Sequence, residues 1–88
     1  RLIALDERGA AIDTQDFAKL IGELQLEGVG SVVFVIGGAY GLSEEVRRKA
    51  HKTLRLSNLV LNHEVARVVL FEQIYRAITL LKGVPYHH

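Results

Sequence analysis

Three apolar runs alternate along this chain with three segments that read as helices. "RLIALDERG", Arg1 to Gly9, reads as a short strand running into a turn, its apolar residues giving way to Asp6, Glu7, Arg8 and a glycine. "DTQDFAKLIGELQLEG" places Phe17, Leu20, Ile21 and Leu24 at the helical period, with Asp13 or Thr14 able to cap its start and Gly28 and Gly30 marking its end. "SVVFVI" is a continuous β-branched run without polar alternation, which predicts a central parallel strand covered on both faces. A short helix over "SEEVRRKAH" with Ser43 as cap follows, and "TLRLS" reads as a third strand. A long helix over "HEVARVVLFEQIYRAITLLKG", closed by Gly83, completes the order before a "VPYHH" tail.

Strand and helix alternate three times, which predicts an α/β fold: a parallel sheet with flanking crossover helices. The last helix carries a further expectation. From Val65 to Leu81 its apolar residues fall all round the wheel, at about 100° per residue, and leave no wide polar stripe. One small sheet cannot cover such a helix on every side, so a second copy packed on it as a homodimer is expected. The alternative is that the helix sits centrally in a larger parent domain.

Composition adds bounds. Eighty-eight residues make one domain, 1–88, small for a self-sufficient core. No run reaches the ~18 apolar residues of a membrane helix, which points away from a membrane partner. The absence of cysteine excludes disulfides and thiolate metal sites and is compatible with a cytoplasmic location. There is no methionine either, even at position one, so the chain reads as a fragment, a processed product or an engineered chain. Net charge is +1 but uneven: residues 1–43 carry three basic and six acidic side chains, residues 44–88 eight and four. The positive second half is compatible with a phosphate-bearing partner and equally with a solvated surface.

Ligands of parallel α/β sheets sit at the carboxyl ends of the strands. Three segments occupy that place here: "LDERG", "GGAYG" and "SNLVLN". Gly37 and Gly38 end a strand where bare backbone can meet a ligand, or simply turn the chain. GGxxG is not the dinucleotide fingerprint, and no P-loop lysine follows it. The third segment is oddly apolar for a connection; Leu56, Leu59, Val60 and Leu61 need cover from the core or from a ligand's apolar face. No histidine pair has metal-ligand spacing with a third donor nearby, so no metal site is expected. His87 and His88 also read as the stub of a purification tag. Glu72 and Arg76 are four apart on the last helix and can pair.

"FVIGGAYGL", "LRLSNLVLNHEVARVVLFEQIYRA" and the closing "GVPYHH", in this order, resemble the signature segments of the RlmH family, the SPOUT-class methyltransferase H of the large ribosomal subunit. The resemblance runs from "LIALDERG" to the end, and what is missing is the family's N-terminal part. It implies a SPOUT-type C-terminal trefoil knot, a homodimer through the last helix, S-adenosylmethionine as cofactor, and as substrate the N3 of a pseudouridine in 23S rRNA of the assembled ribosome. It implies cofactor contacts from Leu5, Gly37, Leu56, Ser57, Asn58, Leu59, Val60 and Leu61, with apolar side chains sandwiching the adenine and backbone groups reading its edge. Val60 stands where relatives often have threonine and Asn62 where they often have proline; the second change predicts a looser start to the last helix.

The same resemblance implies a catalytic set of Glu72, Arg76, Tyr86 and His87. Arg76 would hold a phosphate or stabilise the base anion, Glu72 would orient it, and the Tyr86–His87 tail would close over the nucleotide, with His87 as base. Two other readings stand beside this one. The first is an inactive knotted dimeric core that binds cofactor without catalysis; the second is a generic nucleotide-binding module.

Overall fold

In the computed structural model, residues 1–37 and 42–83 are described. They form β1 (Leu2–Ala11), α1 (Thr14–Leu26), β2 (Val33–Ile36), α2 (Glu44–Lys49), β3 (Lys52–Arg55) and α3 (His63–Lys82). The three strands make one parallel sheet in the order β2-β1-β3. The alternation of apolar runs with helical periods therefore yields the α/β sheet expected of it.

The local reasons are visible at each helix end. Asp13 Oδ1 accepts the Asp16 amide at 2.7 Å and starts α1, whereas Gly28 (φ 74°) turns the chain after it. Ser43 Oγ accepts the Val46 amide at 3.2 Å and starts α2. Asn62 Oδ1 accepts the Glu64 amide at 2.8 Å, so the start of α3 is capped rather than loosened by the absence of proline. Gly83 ends α3 in the left-handed region (φ 69°).

Two strands differ from expectation. β2 is an edge strand, not the central one: Val33 is 55% exposed and Phe34, Val35 and Ile36 are half-buried. A β-branched run of this kind fits any strand with partial cover, and periodicity alone does not rank neighbours. The central place belongs to β1, where Ile3, Ala4, Leu5 and Asp6 are buried in succession. β1 also does not end in a turn at Gly9. It pairs with β3 through Leu5↔Leu54, leaves the ladder for Asp6 to Gly9, and rejoins it at Ala10↔Leu54 and Ala11↔Arg55. Within this bulge Gly9 lies against β3 so closely that an added Cβ would sit 2.7 Å from the Leu54 carbonyl carbon.

The core joins Ile3, Leu5 and Leu54 of the sheet to Phe17, Leu20 and Leu24 of α1 and to Leu70 and Ala77 of α3. The Phe17 and Phe34 rings tilt at 46° with centroids 6.2 Å apart. α3 thus buries Ala66, Leu70 and Ala77 on one side. On another side Val65, Val68, Phe71, Tyr75 and Ile78 line up at spacings of three and four and are exposed, Val68 by 68% and Phe71 by 62%. Within the chain itself, the apolar girth of α3 is half used.

Candidate functional site

The three strand ends meet in one cavity of about 470 Å³. Leu5, Asp6 and Glu7 supply the wall from β1, Ile36 and Gly37 the wall from β2. The chain leaving β3 supplies the rest: Arg55, Leu56, Ser57, Leu59, Val60 and Leu61, then Asn62, His63 and Ala66 at the start of α3. The size is that of a small-molecule site, and the apolar lining with a few polar groups is the usual character of such sites.

The β1 wall is polar and internally satisfied. The Asp6 side chain is buried and both its oxygens are engaged. Oδ1 accepts from the Arg8 amide at 2.9 Å and Arg8 Nε at 3.1 Å; Oδ2 accepts from Arg8 Nη2 at 3.0 Å and the Leu42 amide at 3.0 Å. Arg8 Nη2 also donates to the Leu42 carbonyl at 3.1 Å. The Arg8 side chain, with help from the two amides, outweighs burial and holds the Asp6 carboxyl far below the usual carboxylate range. The same contact raises the Arg8 guanidinium. Leu42 is thereby tied to β1 from one side of the β2–α2 connection, and the Gly37 amide, which donates to the Leu5 carbonyl at 2.9 Å, ties the other. Gly37's amide is therefore not bare backbone awaiting a ligand, as its place at a strand end suggested.

The β3 wall is apolar and open. Leu59 is 75% and Val60 81% exposed, so the core does not cover them. Their backbone is held by Ser57, whose Oγ accepts the Leu59 amide at 2.9 Å. Of the eight cofactor positions named from sequence, the cavity brings together Leu5, Gly37, Leu56, Ser57, Leu59, Val60 and Leu61. Asn58 instead lines a neighbouring hollow with Asp13 and Asp16.

Glu72 and Arg76 pair on α3: Arg76 Nε and Nη2 donate to Glu72 Oε2 at 3.1 and 3.0 Å. Glu72 Oε1 accepts from Gln73 Nε2 at 2.7 Å, and Gln73 Oε1 accepts from Thr14 Oγ1 at 2.8 Å, so a polar chain joins α3 to α1. Both members of the pair are half-buried and stand apart from the residues that line the cavity. Tyr86 and His87 lie outside the described residues. Among the described residues no group of His, Asp or Glu is placed to hold a metal, and no helix is long and apolar enough to cross a membrane.

Asp6, Glu7 and Arg55 line the cavity, and Arg8 holds Asp6, without having been named as candidate site residues from the sequence. "LDERG" carried a usable signal: an acid directly after an apolar strand, with an arginine two positions on, can close on itself around a bulge.

A parallel α/β sheet with a ligand-sized cavity at its strand ends is an arrangement that many nucleotide- and nucleoside-binding domains share. Comparison with known proteins narrows this class. Residues 1–87 match the family described as "Predicted SPOUT methyltransferase", and the chain belongs to that family. It is similar to proteins named ribosomal RNA large subunit methyltransferase H. That of Trichlorobacter lovleyi is 51% identical over 99% of this chain and 57% of its own length. Those of Desulfovibrio desulfuricans (50%) and Geotalea daltonii (44%) match over 98% and 100% of this chain and over 55% and 58% of their own lengths. The chain spans about half the length of the curated relatives it matches.

Proposed function

We propose that this domain binds S-adenosylmethionine in the strand-end cavity and belongs to an enzyme that methylates the N3 of a pseudouridine in 23S rRNA. The observation carrying this reading is the convergence of Leu5, Gly37 and the Leu56–Leu61 segment on one cavity. The exposed Leu59 and Val60 side chains suit the faces of an adenine, and the Leu56–Leu61 backbone suits its polar edge.

When bound, S-adenosylmethionine supplies an electrophilic methyl group on a sulfonium, so what the chain must provide is position and proton removal. Arg76, oriented by Glu72, is the group that would hold a phosphate or stabilise the anion of the uracil ring. His87 would take the N3 proton, and Tyr86 would help close the tail over the nucleotide. A labelled-methyl transfer assay on ribosomes lacking this modification is the test. His87→Ala should lower transfer at least a hundredfold; unchanged transfer would remove the role of base from His87.

The exposed stripe on α3 supports a homodimer in which a second copy covers Val68, Phe71 and Tyr75. Phe71→Glu should yield a monomer by analytical ultracentrifugation, and a wild-type chain that sediments as a monomer at tens of micromolar would overturn this arrangement. A trefoil knot in the C-terminal part and a place in the cytoplasm beside the ribosome belong to the same reading. A second reading is favoured by the absence of Glu72 and Arg76 from the residues that line the cavity: a dimeric core that binds the cofactor but does not transfer the methyl alone. Cofactor binding in calorimetry without turnover on ribosomes would select it.

A further inference from the structure

Most polar groups in the cavity wall already have partners inside the chain. Asp6 is closed on Arg8 and Leu42, Ser57 on the Leu59 amide, and Asn62 on the Glu64 amide. Arg55 is different. It is the last residue of β3, half-buried, and the one guanidinium that lines the cavity among the described residues. Its Nε is buried and has no hydrogen-bond partner there. No hydrogen bond or ion pair joins the Arg55 side chain to the described residues, and an unmet guanidinium at a cavity wall suits an anion that enters the cavity.

The anion's class follows from the company it would keep. Glu7 lines the same cavity and is exposed, and no ion pair joins it to Arg55 among the described residues. Asp6 adds a second carboxylate in the same wall, with its charge answered by Arg8. A polyanion such as an RNA backbone is disfavoured by these carboxylates. A zwitterion, carrying both a carboxylate and an ammonium, suits a cavity lined by one guanidinium and by a carboxylate, Glu7, that forms no ion pair among the described residues. The amino-acid end of the proposed cofactor is such a group, whereas its adenosine end suits the apolar Leu59–Val60 side.

Resting on the cofactor reading above, we infer that Arg55 holds the α-carboxylate of the cofactor's amino-acid moiety, with Glu7 placed for its ammonium. Arg55 is then a specificity residue that separates complete adenosyl amino acids from adenosyl thioethers lacking that end.

Two thioethers isolate the contact, because S-adenosylhomocysteine and 5′-methylthioadenosine share adenosine and sulfur and differ by the aminocarboxypropyl group. In calorimetric titrations Arg55→Ala should weaken S-adenosylhomocysteine about tenfold or more and change 5′-methylthioadenosine less than about twofold. Arg55→Lys, keeping the charge without the planar fork, should fall between wild type and Arg55→Ala. Retained methylthioadenosine binding also reports that each variant is folded. Equal weakening of both ligands, or no change in either, would overturn the inference while leaving the cofactor reading intact; the latter result fits an Arg55 turned toward Asp13 and Asp16 in the neighbouring hollow. A wild-type chain that binds neither thioether would sink both.

Discussion

The two walls of the cavity are built on opposite plans. On the β1 side Asp6 is buried, charged and saturated by four donors from Arg8 and Leu42. On the β3 side Leu59 and Val60 are aliphatic and exposed, and only the backbone beneath them is fixed, by Ser57. Apart from the exposed Glu7, the first wall is complete without a ligand and so serves as frame. The second presents apolar surface that water covers until a ligand does, and so serves as contact. Mutations should therefore split: those in the frame change stability first, and those in the contact change affinity alone.

The largest effect is expected at Asp6. Asp6→Ala strips acceptors from Arg8 and from the Leu42 amide and should cost about 2–4 kcal/mol in urea unfolding. A loss under about 1 kcal/mol would mean that the β1 wall is not a frame. The same residue sets an acid limb. Its folded pKa lies far below the 3.8 of a free aspartate, so its contribution is full above that value. As pH falls through 3.8 the unfolded chain takes up a proton that the folded chain does not, and stability declines. Asp6→Asn should flatten that limb, which urea midpoints at pH 3 and pH 6 would reveal.

The smaller effect is expected at Leu59. Leu59→Ala should change unfolding stability by no more than about 0.5 kcal/mol, because the side chain is already exposed. S-adenosylhomocysteine affinity should nevertheless fall about three- to tenfold through lost apolar contact. A variant with altered stability and unaltered affinity would invert the contrast between the walls.

Much of this layout was legible in the residues. The caps Asp13 and Ser43 and the terminator Gly83 mark helix ends by local chemistry, which sequence carries directly, whereas Asn62 reads as a loosened start and in the structure caps α3. The three strand-end segments were legible for the same reason: an apolar run followed by glycine or an unusual apolar connection is a local signal. What escaped was relational. Whether Val33–Ile36 is central or at an edge depends on which strand pairs with which. The partner of Asp6 across the β2–α2 connection, Leu42, is 36 residues away, beyond any pattern of spacing. Nor could spacing tell that Leu59 and Val60 stay uncovered by the core, since an apolar connection reads the same whether it is buried or bare.

Leu54 is met twice by the same neighbouring strand, once at Leu5 and once at Ala10. The excursion between these two rungs is therefore of set length: one residue more or fewer would slide everything after Ala10 out of step with β3 and drag α1 with it. At its crest, though, Glu7 faces solvent and pairs with no strand. Such a construction leaves the side chain at position 7 outside the pairing that sets the register, so a substitution there can reshape the cavity rim while the sheet keeps its measure.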